Sequence, residues 1–396
     1  MTLTTRALVG AVLAVLFLAP GCKKQGAAVV DLDLPEKPTV TSEQPPQDIL
    51  EDAAGSLEPS HRGHALASLI ATSEQPGGGP WGPRALFDPD AWVQRQGVQA
   101  LVGRLSEPET VAHLVAYVAR DSADPYSRSF AAVRMQAHSS PELRDALSTA
   151  WRSEPMRWRA APLALGALVH GDDAALTPLS AALSRGDLAL EPQFVADVGR
   201  SGRTELLPAL QEGEDWVEPE LELAYAVARL SLGDPSGEQL LRKALSSDDS
   251  GAQLEALTHL SEIQGPVADA LLKRARSQGS DLVRAWAELA LAARGQADPS
   301  VIVVASGSAD AEIRALAARF AGERLAVGDL RSRKAQRQLE NVLRTSLADG
   351  RAIVRRSALL GLEHAPLEDR KLLLSTVLMD DSLENRLQAA GMLLQD

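Results

Sequence analysis

A chain of 396 residues with 45% hydrophobic side chains is long enough to bury an extended core, so it can fold without covalent staples. Its net charge of −13 makes it a poor electrostatic match for nucleic acid. A single cysteine excludes a disulfide within the molecule.

The first stretch in chain order is a targeting signal. Arg6 supplies a positive start, and residues 7–19 form an apolar run too short to span a bilayer comfortably. The run ends Leu18-Ala19-Pro20-Gly21-Cys22. This junction resembles a bacterial lipobox. The resemblance implies that residues 1–21 are removed as a lipoprotein signal peptide and that the Cys22 thiol carries diacylglycerol. Several acyl chains would anchor the protein firmly where one would not. Lys23 after the cysteine turns the expectation towards the outer membrane, facing the periplasm of a bacterial cell envelope. Residues 22–50 follow as a disordered tether: Pro35, Pro38, Pro45 and Pro46 interrupt any helix, and large apolar residues are few. Residues 31–60 hold eight acids against Lys37, a net charge of −7.

Residues 51–396 read as one repeating unit, seen most clearly at residues 308–322. An acid is followed four positions later by a marker, then three positions later by a small residue, then by an apolar run. The markers are Arg62, Gln94, Arg128, Arg157, Glu191, Glu222, Gln253, Arg284, Arg314, Arg355 and Arg386. Their successive differences are 32, 34, 29, 34, 31, 31, 31, 30, 41 and 31, the near-constant step of stacked helix pairs. Asp90, Asp124, Asp187, Glu218, Asp249 and Asp310 precede markers by four and suit helix N-caps. Pro125 and Pro219 stand where a first helical residue belongs. The 41-residue step holds an insertion at residues 327–334.

Second helices are expected at 110–120, 142–152, 175–185, 204–211, 236–245, 267–277, 299–305, 334–347 and 367–378, where Leu, Ala and Val recur at helical spacing. Residues 73–90 read as a long loop replacing a second helix. The strand-like run Val301-Ile302-Val303-Val304 reads as a short buried helix because of its place in the repeat. The final repeat is expected to stop after its first helix, at Leu394, Gln395 and Asp396.

The pattern resembles the HEAT repeat, in the short form also found in bilin-lyase-like proteins. Residues 283–295 and 354–362 are the best matches. The resemblance implies an all-α fold: a right-handed α-solenoid of about ten to eleven helix pairs. It implies that the acid and the arginine bond into a ladder between repeats, and that second helices line a concave partner-binding face. Architecture of this kind specifies function hardly at all.

Catalytic signatures are missing from the pattern. Gly77, Gly79 and Gly82 match a dinucleotide spacing, but Pro80 and Pro83 stand in the way and no strand precedes. His61 and His64 share a helix face without further ligands in view. Trp92, Trp158 and Trp286 fall in first helices and read as packing residues, and Trp81 as cover for an open end. No catalytic residue, cofactor or metal is therefore expected.

Charge gives the one surface candidate. Residues 314–371 carry thirteen bases against seven acids, +6 in a chain of −13. Arg331, Arg333, Lys334 and Arg337 crowd the insertion and the start of a second helix. They are the candidate partner-binding residues, with an anionic ligand or an acidic protein segment as the matching chemistry. The function expected is a membrane-anchored envelope scaffold that binds a protein or peptide and no nucleic acid. The alternative is an enzyme or enzyme accessory of the bilin-lyase HEAT-like type.

Overall fold

The computed structural model describes residues 44–120, 123–185, 190–213, 219–247, 249–262, 265–330 and 332–395. The expected signal peptide, Cys22 and most of the expected tether lie outside these residues. Among the described residues there are helices and turns and no strands.

The chain starts with α1 (Pro46–Ala54), α2 (Pro59–Thr72) and α3 (Trp81–Leu86). Helix therefore begins five residues before the boundary at residue 51 that the sequence suggests. Pro46 takes the first helical position, where its missing N–H costs nothing, and Ile49 and Leu50 are buried. The stretch read as a loop contains α3, and a tight turn at Gly77, Gly78 and Gly79, all at positive φ, leads into it.

Helix pairs then follow in order: α4 (Ala91–Val102) and α5 (Pro108–Val118); α6 (Pro125–Arg134) and α7 (Pro141–Ser153); α8 (Arg157–Val169) and α9 (Leu176–Ser184); α10 (Pro192–Arg200) and α11 (Leu207–Gly213); α12 (Pro219–Ser231) and α13 (Gly237–Leu245). Next come α14 (Ser250–Glu262) and α15 (Pro266–Gln278); α16 (Asp281–Ala293) and α17 (Ser300–Ser306); α18 (Ala311–Val327) and α19 (Arg333–Ser346); α20 (Ala352–His364) and α21 (Arg370–Val377); and α22 (Leu383–Gln395).

The chain divides into two compact units, one of residues 51–244 and one of residues 245–396 with the N-terminal residues through Leu50. In the first, α2 packs on α4, α4 on α6, α6 on α8 and α10 on α12. In the second, α14, α16, α18, α20 and α22 pack each on the next. First helices thus stack on first helices, as a solenoid requires.

Local chemistry explains where the helices start. Asp90 accepts from the N–H groups of Trp92 and Val93, Asp124 from Ser127 and Asp310 from Glu312. Each satisfies an orphan donor of a first turn. Asp90→Ala is expected to cost about 1 kcal/mol, read from urea denaturation followed by helical circular dichroism. The small residues after the markers are buried: Ala65, Ala131, Ala256, Ala287, Ala317 and Ala389 are wholly inaccessible.

Two markers are out of register. Most markers fall on the fourth helical residue, but Arg157 is the first residue of α8 and Glu191 is the N-cap of α10. Pro192 fixes the start of α10 at the position where proline is favoured, and α8 starts behind Met156, which provides no capping side chain. Packing is also irregular here, because α6 meets both α8 and α10. Tyr126 stacks on Trp158 of α8 and meets Phe194 of α10 edge-on, 6.5 and 6.1 Å between centroids. Arg95 pairs with Glu191 at 3.0 Å.

Residues 301–304 are helical as expected but only partly buried: Ile302 is inaccessible, whereas Val304 is 74% exposed. Trp286 is buried, Trp92 packs against His64 and Gly63, and Trp81 is half-buried with Arg84 over its ring.

Candidate partner-binding surface

The marker side chains do two jobs. Their first is local. Arg62 Nη1 donates to the carbonyl of Ser56, Gln94 Nε2 to Asp88, Gln253 Nε2 to Ser247, Arg314 Nη1 to Ser308 and Arg355 Nη1 to Asp349. Every acceptor lies six residues before its donor, so the marker staples the loop that enters its own helix.

The second job joins repeats. The Arg62 guanidinium forks onto Asp88 at 2.7 and 2.9 Å, Arg314 onto Asp349 at 2.7 and 3.1 Å, and Arg355 onto Asp380 at 2.6 and 2.8 Å. Each carboxylate belongs to the next repeat. This corrects the expected ladder: its acids stand six residues before a marker, whereas Asp90, Asp124 and Asp310, four before, are helix caps. The same six-back position also shapes its own turn. Asp88 accepts from Asp90 N–H, Asp349 from Arg351 and Asp380 from Ser382, while Ser56, Ser247 and Ser308 accept through Oγ in the same way. Serine there makes the turn alone; aspartate makes the turn and the ladder. Arg284 faces a next repeat with Ser308 at that position and pairs instead with its neighbour Asp281.

These pairs hold their carboxylates ionised. The Arg314 hydrogen bonds keep Asp349 below the ordinary carboxylate range, against partial burial. At Asp380 burial alone would raise the pKa; bonds from Arg355, the Ser382 N–H and Asn385 outweigh it and hold the group down to about 2. A shallow recess of about 310 Å³ opens beside this pair, lined by Leu347, Asp349, Arg355, Thr376, Met379 and Asp381 among others.

Ion pairing also redraws the basic patch. Arg314, Arg319, Arg324, Arg344, Arg355 and Arg356 are all engaged with acids, some of them beyond residue 371, such as Asp380 and Glu384. Of these arginines only Arg355 and Arg356 reach acids outside the segment, Asp380, Asp381 and Glu384, which brings the +6 down to +3. Besides Arg351 at the N-cap of α20, Arg333, Lys334 and Arg337 remain: all three are exposed and form no hydrogen bond or ion pair with any described residue through their side chains. They project from α19, whose opposite face buries Leu339, Val342 and Leu343. Arg331 lies outside the described residues.

Among the described residues no three His, Cys, Asp or Glu side chains are grouped to hold a metal, and no helix is long and apolar enough to cross a membrane. His64 Nδ1 lies 2.8 Å from the Ser60 carbonyl, within its own helix.

Residues 203–292 match the family model of HEAT repeats. Within that segment the chain is similar to HEAT repeats. No curated protein matches it. Among solved structures it is similar to an engineered protein, with 17% identity over 89% of this chain and 99% of that one, at a TM-score of 0.25. Human deoxyhypusine hydroxylase in complex with glycerol is 17% identical over 66% of this chain and 98% of its own, at 0.28. A chain of the AP-3 complex is 12% identical over 81% of this chain and 57% of its own, at 0.30. Scores this low add nothing to the fold described above.

Proposed function

We propose that this protein is a non-enzymatic interaction scaffold, held at a bacterial cell envelope by lipid on Cys22, which binds a protein or peptide partner across its second helices. The observation that carries the reading is the contrast on α19. Arg62, Arg314 and Arg355 of the first helices are consumed in the loops and the ladder, whereas Arg333, Lys334 and Arg337 stand exposed without partners. Stacked helix pairs suit the binding of an extended partner. Exposed cations on that surface favour an acidic partner segment and speed its encounter.

Two measurements test the reading. Cys22→Ser is expected to release the protein from the membrane fraction or leave it as uncleaved precursor; wild-type fractionation and migration would remove the anchor. For the scaffold, partners are captured from envelope extracts with wild type and with Arg331, Arg333, Lys334 and Arg337 all changed to Glu. Capture by wild type is expected to weaken with added salt, and the variant is expected to lose it. Equal capture by both, insensitive to salt, would take these residues out of the function. Turnover of a small molecule by the purified chain would replace the scaffold with an enzyme.

A further inference from the structure

The 41-residue step in the repeat has a structural product. The first helices α16 and α20 each have 13 residues and end nine after their markers, at Ala293 and His364. Helix α18 has 17 and ends thirteen after its marker, at Val327. Its start is in register, capped by Asp310 and tied to the next repeat through Arg314, so the extra turn lies wholly at its C-terminal end. Four residues at 1.5 Å each carry that end about 6 Å past its neighbours. The following second helix is extended too: α19 has 14 residues, against 7 in α17 and 8 in α21. The corner between α18 and α19 therefore projects.

What the corner carries is specific. Ala326, Val327, Gly328 and Asp329 are exposed, with Val327 at 55%, and Leu330 is half-buried. Ser332, Arg333 and Lys334 are exposed on its far side, and Arg337 one turn on. The cations sit in the first turn and a half of α19, at the positive end of the helix dipole and unrelieved by any described acid. A tip of Ala326, Val327 and Gly328, whose one acid, Asp329, is paired with Arg324, lies beside unpaired cations and fits a lipid surface, with the tip among the headgroups and the cations on phosphates. An acidic peptide is the competing occupant of the same three cations, and the exposed Val327 beside them favours lipid.

We infer that the α18–α19 corner is a peripheral membrane contact that seats on anionic phospholipid headgroups. It rests on the envelope reading above and adds to it: the scaffold would be anchored at its N-terminus and also laid against the membrane through this corner. Polybasic contact and a lipid anchor are complementary ways of holding a protein to one surface.

The experiment uses the full mature chain with Cys22→Ser, so that no acyl chain contributes. It is sedimented with vesicles of phosphatidylcholine alone and of phosphatidylcholine mixed equally with phosphatidylglycerol. Binding is expected to the mixed vesicles only, and to fall with added salt. Each cation is expected to contribute about fivefold, so Arg333→Ala, Lys334→Ala and Arg337→Ala together should lower partitioning about 100-fold. Val327→Ser should weaken it a few-fold without touching a charge. These side chains are exposed, so the variants should keep the wild-type circular dichroism spectrum. Absence of binding to the mixed vesicles, or equal binding by the triple variant, overturns the inference. So does binding of a Glu-rich peptide by the three cations without vesicle binding, which would give the corner to an acidic partner. Because the anchor is absent throughout, failure of the Cys22 prediction leaves this result untouched.

Discussion

Gly322→Ala is expected to lower the free energy of unfolding by about 3 kcal/mol, although alanine is the better helix former by about 1 kcal/mol. The reason is the crossing of α18 and α20. A Cβ on Gly322 would lie 2.1 Å from the Gly361 carbonyl oxygen and 2.3 Å from its Cα. Both obstacles are backbone, so no rotamer change can make room. From the other side, a Cβ on Gly361 would lie 2.7 Å from the Ala318 carbonyl oxygen and 2.8 Å from Leu343 Cδ2. The helices must part, which loosens the close contacts along the crossing and strains the Arg314–Asp349 bridge between the same two repeats. Gly350→Ala is the control: its Cβ meets nothing within 4 Å and its φ is not positive. That variant should stay within about 0.5 kcal/mol of wild type. Urea denaturation followed by circular dichroism reads both. A wild-type midpoint for Gly322→Ala would show that the helices do not cross so closely.

Much of this architecture was legible in the residues because the signals for helix starts are local. Pro108, Pro125, Pro141, Pro219 and Pro266 open helices as N1 prolines should, and Asp90, Asp124 and Asp310 cap them. The period survives because successive repeats bury the same small side chains. It fails at Arg157 and Glu191: α8 starts behind Met156 without a capping side chain, and Pro192 sets the start of α10. The ladder acids were written in plain view at Asp88, Asp349 and Asp380, six residues before Gln94, Arg355 and Arg386. They were hidden by the better-known role of the caps two residues further on. Charge was misread for another reason. A sequence sum counts Arg314 and Arg355 as surface cations, while the fold returns them to carboxylates of the following repeat. The crowding of Arg333, Lys334 and Arg337 was visible in the sequence; that they have no partner was not. The insertion was visible as a long step, but its direction depended on knowing that Asp310 and Arg314 pin the start of α18.

Asp380→Ala is the second large effect expected, about 2 kcal/mol at neutral pH. The Asp380 side chain is 3% exposed and that of Arg355 12%, so removing the acid leaves a largely desolvated guanidinium with only the exposed Asp381 beside it. The Ser382 N–H and Asn385 lose an acceptor in the same step. Combining Asp380→Ala with Arg355→Ala should cost less than the sum of the two single changes, by about 1 kcal/mol or more. The exposed pair of Lys243 and Glu222, with 74% and 32% of their side chains accessible, should show almost no coupling. The pH dependence has a definite sign. Asp380 is held at about 2 in the folded chain, below its ordinary value of 3.8, so folding favours its ionised form. Its contribution is complete above the ordinary value and disappears as pH falls through the folded one. The deficit of Asp380→Ala relative to wild type should therefore be full at pH 7, shrink below about pH 4 and be nearly gone near pH 2. Denaturation of both proteins across that range measures it. A deficit that did not change with pH would mean that Asp380 acts through packing alone and that the ladder between these repeats is not electrostatic.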